Sequence, residues 1–204
     1  LGAVFEDRAH PRALHVTEAE FAAAGCTGPA TRLRPAWVEL LAGLEAAGEV
    51  MALTRNEHAV LEIHGAYRNV SARGPMGLVL GGAIDLRLLL GNWSGALALE
   101  EPGRDGPRRS LQVFDAHGTA VHKVYATPRT DAAAWGELVS RFTDPAPAGS
   151  LLYPMDLHEP GPSANETGAN GELVFFEPDS FYAQVDPATI ARKASQFMRS
   201  TVQI

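Results

Sequence analysis

The sequence has little of several features on which particular protein classes depend. Cys26 is its only cysteine, which excludes a disulfide framework, a cysteine-based zinc site and an iron–sulfur cluster. It has 17 basic against 24 acidic side chains and a net charge of −7, so it lacks the positive excess that nucleic acids or anionic membranes attract. No apolar run approaches the ~20 residues of a membrane-spanning helix, and the charged start does not resemble a signal peptide. We expect a cytoplasmic protein with no membrane insertion and no nucleic-acid partner.

The common catalytic motifs are missing as well. The sequence contains no G-x-S-x-G elbow, no P-loop, no Rossmann glycine fingerprint and no H-E-x-x-H zinc motif. The glycine-rich stretch 77–82 lacks the spacing and the lysine of a phosphate cradle. With 46% hydrophobic and 20% charged residues, the chain has the composition of an ordinary globular protein. Its length fits one domain, or one domain and part of a second.

The stretch 109–127 predicts a β-hairpin. Residues 111–114 are rich in β-formers, and residues 119–125 alternate in polarity. Between them, Asp115 favours a type I turn and Gly118 can adopt the left-handed conformation that closes it. His122 shares one face of the second strand with small apolar residues. It is either a side chain that lines a pocket or a histidine whose hydrogen bonds are satisfied within the sheet.

Helical and strand patterns elsewhere predict an α+β fold, a large antiparallel β-sheet flanked by α-helices. A capping box at 17–20, a stripe from Trp37 to Leu44 and a stripe after Asp131 indicate helices. Alternating or apolar stretches indicate strands at 50–54, 58–64, 77–80, 84–90 and 93–100. The composition changes at Asp144. We therefore expect a domain over 1–143, a Pro/Gly-rich linker or loop over 144–172, and over 173–204 a strand and a helix that could begin a second half-domain.

Two groups of polar residues are candidates for binding. His58, Glu62 and His64 share one strand face, where alternate residues lie close enough to hold a metal, although a solvated outer face gives the same pattern. Arg87 stands among leucines, and burying it would be costly without an anionic or polar partner. Its alternative role is a surface ion pair with Asp85, two residues away.

Three segments resemble one known family. The stretches 52–60, 84–93 and 109–127 are similar, in order and spacing, to the HemS/ChuS/PhuS haemin-utilisation proteins, which are described as haem-trafficking or haem-degrading. Single-domain ChuX/HutX proteins are their relatives. The resemblance extends over residues 8–143, and it implies that the chain corresponds to the N-terminal half of a protein built from two such halves.

The resemblance also implies a ligand and candidate contacts. Arg87, in Ile-Asp-Leu-Arg, corresponds to the arginine on the distal side of the haem, where a guanidinium can bind an iron-bound oxygen or a propionate. The family takes its axial histidine from a motif ending Asp-x-His in the second half, and Met155-Asp-Leu-His158 only echoes it. Substitute iron ligands would be His58, His64 or His158, and Lys123 and Tyr125 would contact the propionates.

Three functional interpretations follow. The first is a cytoplasmic protein of haemin uptake and iron acquisition that binds and passes on haem, or also degrades it, with a haem oxygenase or a haem importer as its partner. The second is a module that keeps the fold without a competent haem pocket and serves in dimerisation or docking. The third is a non-haem metal site at His58, Glu62 and His64. The sequence does not decide whether the chain is an enzyme.

Overall fold

The computed structural model describes residues 16–55, 59–104 and 106–146. The helices are α1 (Glu18–Ala23), α2 (Trp37–Gly43) and α3 (Ala132–Phe142). The strands are β1 (Ala30–Leu33), β2 (Gly48–Arg55), β3 (Val60–Gly65), β4 (Ser71–Arg73), β5 (Met76–Val79), β6 (Leu86–Leu89), β7 (Gly95–Glu101), β8 (Arg108–Phe114) and β9 (Ala120–Thr130). His58, His158 and the predicted strand and helix after residue 172 lie outside the described residues. No helix in the described ranges is long and apolar enough to cross a membrane.

Six strands form one antiparallel sheet in the order β1-β7-β8-β9-β2-β3, which confirms the predicted fold class. The hairpin of β8 and β9 is closed as predicted. The Asp115 carboxylate accepts hydrogen bonds from the backbone N–H groups of His117 and Thr119, both at 2.9 Å. Gly118 adopts a left-handed φ of +72°. Because local residues close this turn, they also set which side chains of β9 face each side of the sheet.

One face of this sheet, here called the first face, meets the main core. Ala52, Val113 and Val124 lie on it and pack with buried leucines of α2 and α3. The helices approach closely where Gly43 meets Leu138, because a Cβ at Gly43 would lie 2.3 Å from the Leu138 Cδ1 atom. The opposite face, here called the second face, is covered at one end by α1.

Helix α1 begins as the capping box predicts. The Glu20 backbone N–H donates to the Thr17 hydroxyl at 3.1 Å, and the Thr17 N–H donates to the Glu20 carboxylate at 2.6 Å. Ala19 and Ala22 then pack on Leu97 and Phe114 of the second face. The helix therefore attaches to the sheet through small residues that let its backbone lie close to the strands.

A separate three-stranded sheet, β4-β5-β6, was not predicted. Its strands are short, and a 3₁₀ turn at Leu90–Asn92 leads from β6 towards β7. The inner face of this small sheet includes Val79 and Leu88, which join the main core. Strand β1 was not predicted either, and it exists by pairing with β7.

Candidate functional site

Arg87 lies on the face of the small sheet that points away from the main core. Side chains alternate along β6, so that Leu86 and Leu88 face inwards while Arg87 and Leu89 face outwards. The strand register places six residues on this surface, here called the outer face: Ser71, Arg73, Met76, Leu78, Arg87 and Leu89. Leu89 is 57% exposed and Met76, its partner in register, is 38% exposed. The outer face thus combines exposed apolar side chains with two arginines.

Arg87 avoids the cost of burial that its leucine-rich surroundings suggested, because its side chain is 66% exposed. Its Nη1 atom donates a hydrogen bond to the Asp85 Oδ1 atom at 3.0 Å, so the expected ion pair is present. A pair this exposed contributes about 0–1 kcal/mol. The guanidinium can therefore exchange Asp85 for another anion at little cost.

His64, the histidine candidate that the structure describes, lies in a different sheet from Arg87. His64 lies on β3, and its Nδ1 atom is 3.9 Å from a Glu49 carboxylate oxygen, an ion pair only when the imidazole is protonated. The register aligns His64 with Met51 and Tyr125 on the second face. The described residues hold no group of three histidine, cysteine or acidic side chains that could bind a metal ion. His58, the third member of the metal site that the sequence suggested with Glu62 and His64, lies outside the described residues.

Lys123 and Tyr125 are buried on the second face of the large sheet. Lys123 lies between Leu53 and Gln112 in the register, and the Arg108 guanidinium lies 5.3 Å from the centre of the Tyr125 ring. The main core separates this face from the small sheet. The structure therefore puts Lys123, Tyr125 and His64 on one surface and Arg87 on another.

His122 is a satisfied histidine of the first face, the second of the two alternatives left by the sequence. Its Nε2 atom lies 2.7 Å from the Tyr67 hydroxyl, and its Nδ1 atom lies 3.2 Å from the Thr54 hydroxyl. The Trp93 ring stacks on the imidazole at a centroid distance of 5.9 Å. Burial lowers the pKa of His122 to about 4, so the imidazole is neutral at pH 7.

A cavity of about 460 Å³ lies between α3 and the edge of the large sheet formed by β1 and β7. Its lining includes Thr31, Ala98, Glu100, Arg109, Trp135 and Gly136. Of the binding candidates that the structure describes, none lines it: Glu62, His64, Arg87, Lys123 and Tyr125 all lie elsewhere. The cavity is therefore separate from both surfaces described above.

Comparison with known proteins agrees with this architecture. The family model for the haemin-degrading HemS/ChuX domain matches residues 15–142. The hemin transport protein HmuS of Yersinia pestis is 41% identical over 159 residues, which are 77% of this chain and 46% of that protein. The hemin transport protein HemS of Yersinia enterocolitica is 41% identical over 160 residues, 78% of this chain and 45% of that protein.

Solved structures give the same result. The haem-bound PhuS protein of Pseudomonas aeruginosa superimposes with a TM-score of 0.65 at 44% identity, covering 74% of this chain and 43% of that one. The haem oxygenase ChuS of Escherichia coli gives 0.62 at 41% identity, covering 66% of this chain and 41% of that one. The chain spans about half the length of the curated relatives it matches. On the match to the family model and to these relatives, the chain belongs to the HemS/ChuX family.

Proposed function

We propose that this chain binds haem on the outer face of the small sheet, with Arg87 directed at the iron's distal side or at a propionate. The observation that carries the proposal is the composition of that face, where Met76 and Leu89 are exposed beside two arginines. Haem combines a flat apolar macrocycle with two carboxylates. Exposed aliphatic side chains can cover the ring, and a guanidinium forms charge-assisted hydrogen bonds with oxygen ligands or carboxylates.

Family membership supports the same ligand. Two relatives are named hemin transport proteins, PhuS is described as a haem-binding protein and ChuS as a haem oxygenase. We place this chain in the same process, haemin uptake and iron acquisition in the cytoplasm. Degradation of bound haem would require in addition a reductant and oxygen, while the protein would supply binding and orientation. Its partner in either role would be a haem importer or a haem oxygenase.

The domain organisation belongs to this proposal. We assign residues 1–143 to one HemS-like domain, residues 144–172 to a linker or loop, and residues 173–204 to the start of a second half. His58 and His158 are then candidates for the axial ligand of a haem on the outer face, whereas His64 would be the axial ligand only of a haem on the second face. The alternative to the outer face is a haem on the second face of the large sheet, where its contacts would be His64, Lys123 and Tyr125. A module that dimerises without binding haem is the non-catalytic alternative.

Two exposed leucines allow a matched test of the binding surface. Leu89 is 57% exposed on the outer face, and Leu61 is 64% exposed on β3. We expect Leu89→Glu to weaken haemin binding, because a carboxylate there meets the macrocycle and repels the propionates. Leu61→Glu adds the same charge elsewhere and should bind haemin like the unmodified chain. The measurement is a haemin titration followed at the Soret band.

The titration also separates the alternatives. Equal loss of affinity in both variants, or loss only in His64→Ala and Tyr125→Phe, would contradict the outer-face site. Weak association without saturation in the unmodified chain would favour the module that does not bind haem.

A further inference from the structure

Four aromatic side chains form a continuous series through the main core. The Trp37 and Trp93 rings meet edge to face with centroids 5.7 Å apart. Trp93 stacks on His122 with an angle of 15° between the rings, and His122 meets Tyr67 at 6.3 Å. Trp37 is half-buried, whereas Tyr67 is fully buried. The series therefore runs from near the surface to a tyrosine that solvent does not reach.

The inner end of the series is a hydrogen-bonded phenol–imidazole pair. The Tyr67 hydroxyl lies 2.7 Å from the His122 Nε2 atom. In the tautomer that carries its proton on Nδ1, the Thr54 hydroxyl accepts from Nδ1–H and the Tyr67 hydroxyl donates to Nε2. Both side chains of the pair are buried, so the proton of this bond is shielded from water.

We propose that Tyr67 is a proton-coupled redox site with His122 as its proton acceptor, connected towards the surface through Trp93 and Trp37. A strong one-electron oxidant, of the kind that iron and peroxide generate together, takes one electron from the series. Tyr67 supplies that electron and passes its phenolic proton along the existing hydrogen bond to the Nε2 atom of His122. The products are the neutral tyrosyl radical, a protonated imidazole and the oxidant reduced by one electron. A small one-electron reductant such as ascorbate returns the electron to Tyr67, and His122 returns the proton.

The surroundings of the pair favour this coupled step over simple ionisation. Burial raises the pKa of Tyr67 far above its ordinary value, so the phenol does not lose its proton unless it also loses an electron. An oxidised phenol is a strong acid, and neutral His122 offers it a lone pair at 2.7 Å. Loss of the electron leaves one positive charge on the buried pair, and the proton transfer places that charge on the His122 imidazole.

The residues beside His122 can stabilise its protonated form. Trp93 stacks on the imidazole, and an aromatic face attracts a cation by about 0.5–2 kcal/mol. In the imidazolium both ring nitrogens carry a proton, so the Thr54 hydroxyl, 3.2 Å from Nδ1, accepts a hydrogen bond from it. Tyr67 and Trp93 belong to the same core cluster as Val79 and Leu88 of the small sheet's inner face. The redox chemistry does not depend on haem binding on the outer face of that sheet.

The test uses the haem-free chain, so that it stands apart from the proposed haem site. The sequence has four tyrosines. Replacing three of them by Phe, at Tyr125, Tyr153 and Tyr182, leaves Tyr67 as the only tyrosine of the variant. Photo-oxidised tris(bipyridine)ruthenium(III), with pentaamminechlorocobalt(III) as the sacrificial electron acceptor, supplies the oxidant. Samples frozen during illumination are examined by electron paramagnetic resonance. We expect a tyrosyl radical that forms more slowly in deuterium oxide.

Two further variants define the outcomes. Adding Tyr67→Phe should abolish the tyrosyl signal, and adding Trp93→Phe should lower its yield by interrupting the series. Circular dichroism and thermal unfolding establish that each variant is folded before it is oxidised. Tryptophan radicals without a tyrosyl radical in the folded single-tyrosine chain would overturn the proposal. Formation at the same rate in deuterium oxide would overturn the role of His122 as proton acceptor.

Discussion

Acid should destabilise this protein through His122, which is buried in the main core. The ordinary pKa of histidine is about 6.5, and burial lowers that of His122 to about 4. Between these two pKa values the unfolded chain binds a proton that the folded chain excludes. The contribution of neutral His122 to the free energy of unfolding is therefore complete above pH 6.5. It declines as the pH falls below 6.5 and is lost below about pH 4.

The magnitude follows from the same two pKa values. One pKa unit is worth about 1.4 kcal/mol, so the free energy of unfolding should fall by about 2 kcal/mol between about pH 7.5 and pH 5. The assay is urea unfolding followed by circular dichroism across this range. His122→Gln should remove most of this slope. His117→Ala, which alters an exposed histidine of the hairpin turn, should keep it. A flat profile in the unmodified chain, or an unchanged slope in His122→Gln, would refute the reasoning.

Three further substitutions test the packing. Gly118→Ala should lower stability by about 1–2 kcal/mol, because φ is +72° and the new Cβ would lie 2.5 Å from the Thr17 hydroxyl. Gly136→Ala in α3, where a Cβ meets nothing within 4 Å, should instead raise it by up to about 1 kcal/mol. Glu18→Gln should cost about 3 kcal/mol, because the carboxylate pairs with buried Arg55 and accepts from the Ala120 N–H. Thermal or urea unfolding measures each change, and the reverse sign in any of them would contradict the packing described here.

Local features of the fold were predictable because neighbouring residues determine them. Asp115 and Gly118 specify a turn within four residues, and the Thr17–Glu20 capping box specifies where α1 begins. Strand β1 has no such local signal. It spans four residues of weak alternation, and its pairing partner β7 lies more than 60 residues later in the chain.

The functional surfaces needed long-range information. The leucines around Arg87 predict a strand, but their spacing does not say which face meets a core and which meets water. That choice is made by the pairing of β5 with β6 and by the packing of Val79 and Leu88. Likewise, the sequence left two roles open for His122. Its partners Thr54 and Tyr67 are 68 and 55 residues away, so only the tertiary structure identifies it as hydrogen-bonded within the core.

The most direct test of the haem site is the affinity of Arg87→Ala for haemin. Arg109→Ala is the matched control, because Arg109 also forms an exposed ion pair on a strand, with Glu100 at 3.2 Å. A hydrogen bond to a charged group is worth about 1.5–3 kcal/mol, so Arg87→Ala should raise the dissociation constant about 10- to 100-fold and alter the spin-state bands. Arg109→Ala should change neither. If Arg87→Ala binds haemin with unchanged affinity and an unchanged spectrum, Arg87 does not contact the haem and the outer face is not its binding site.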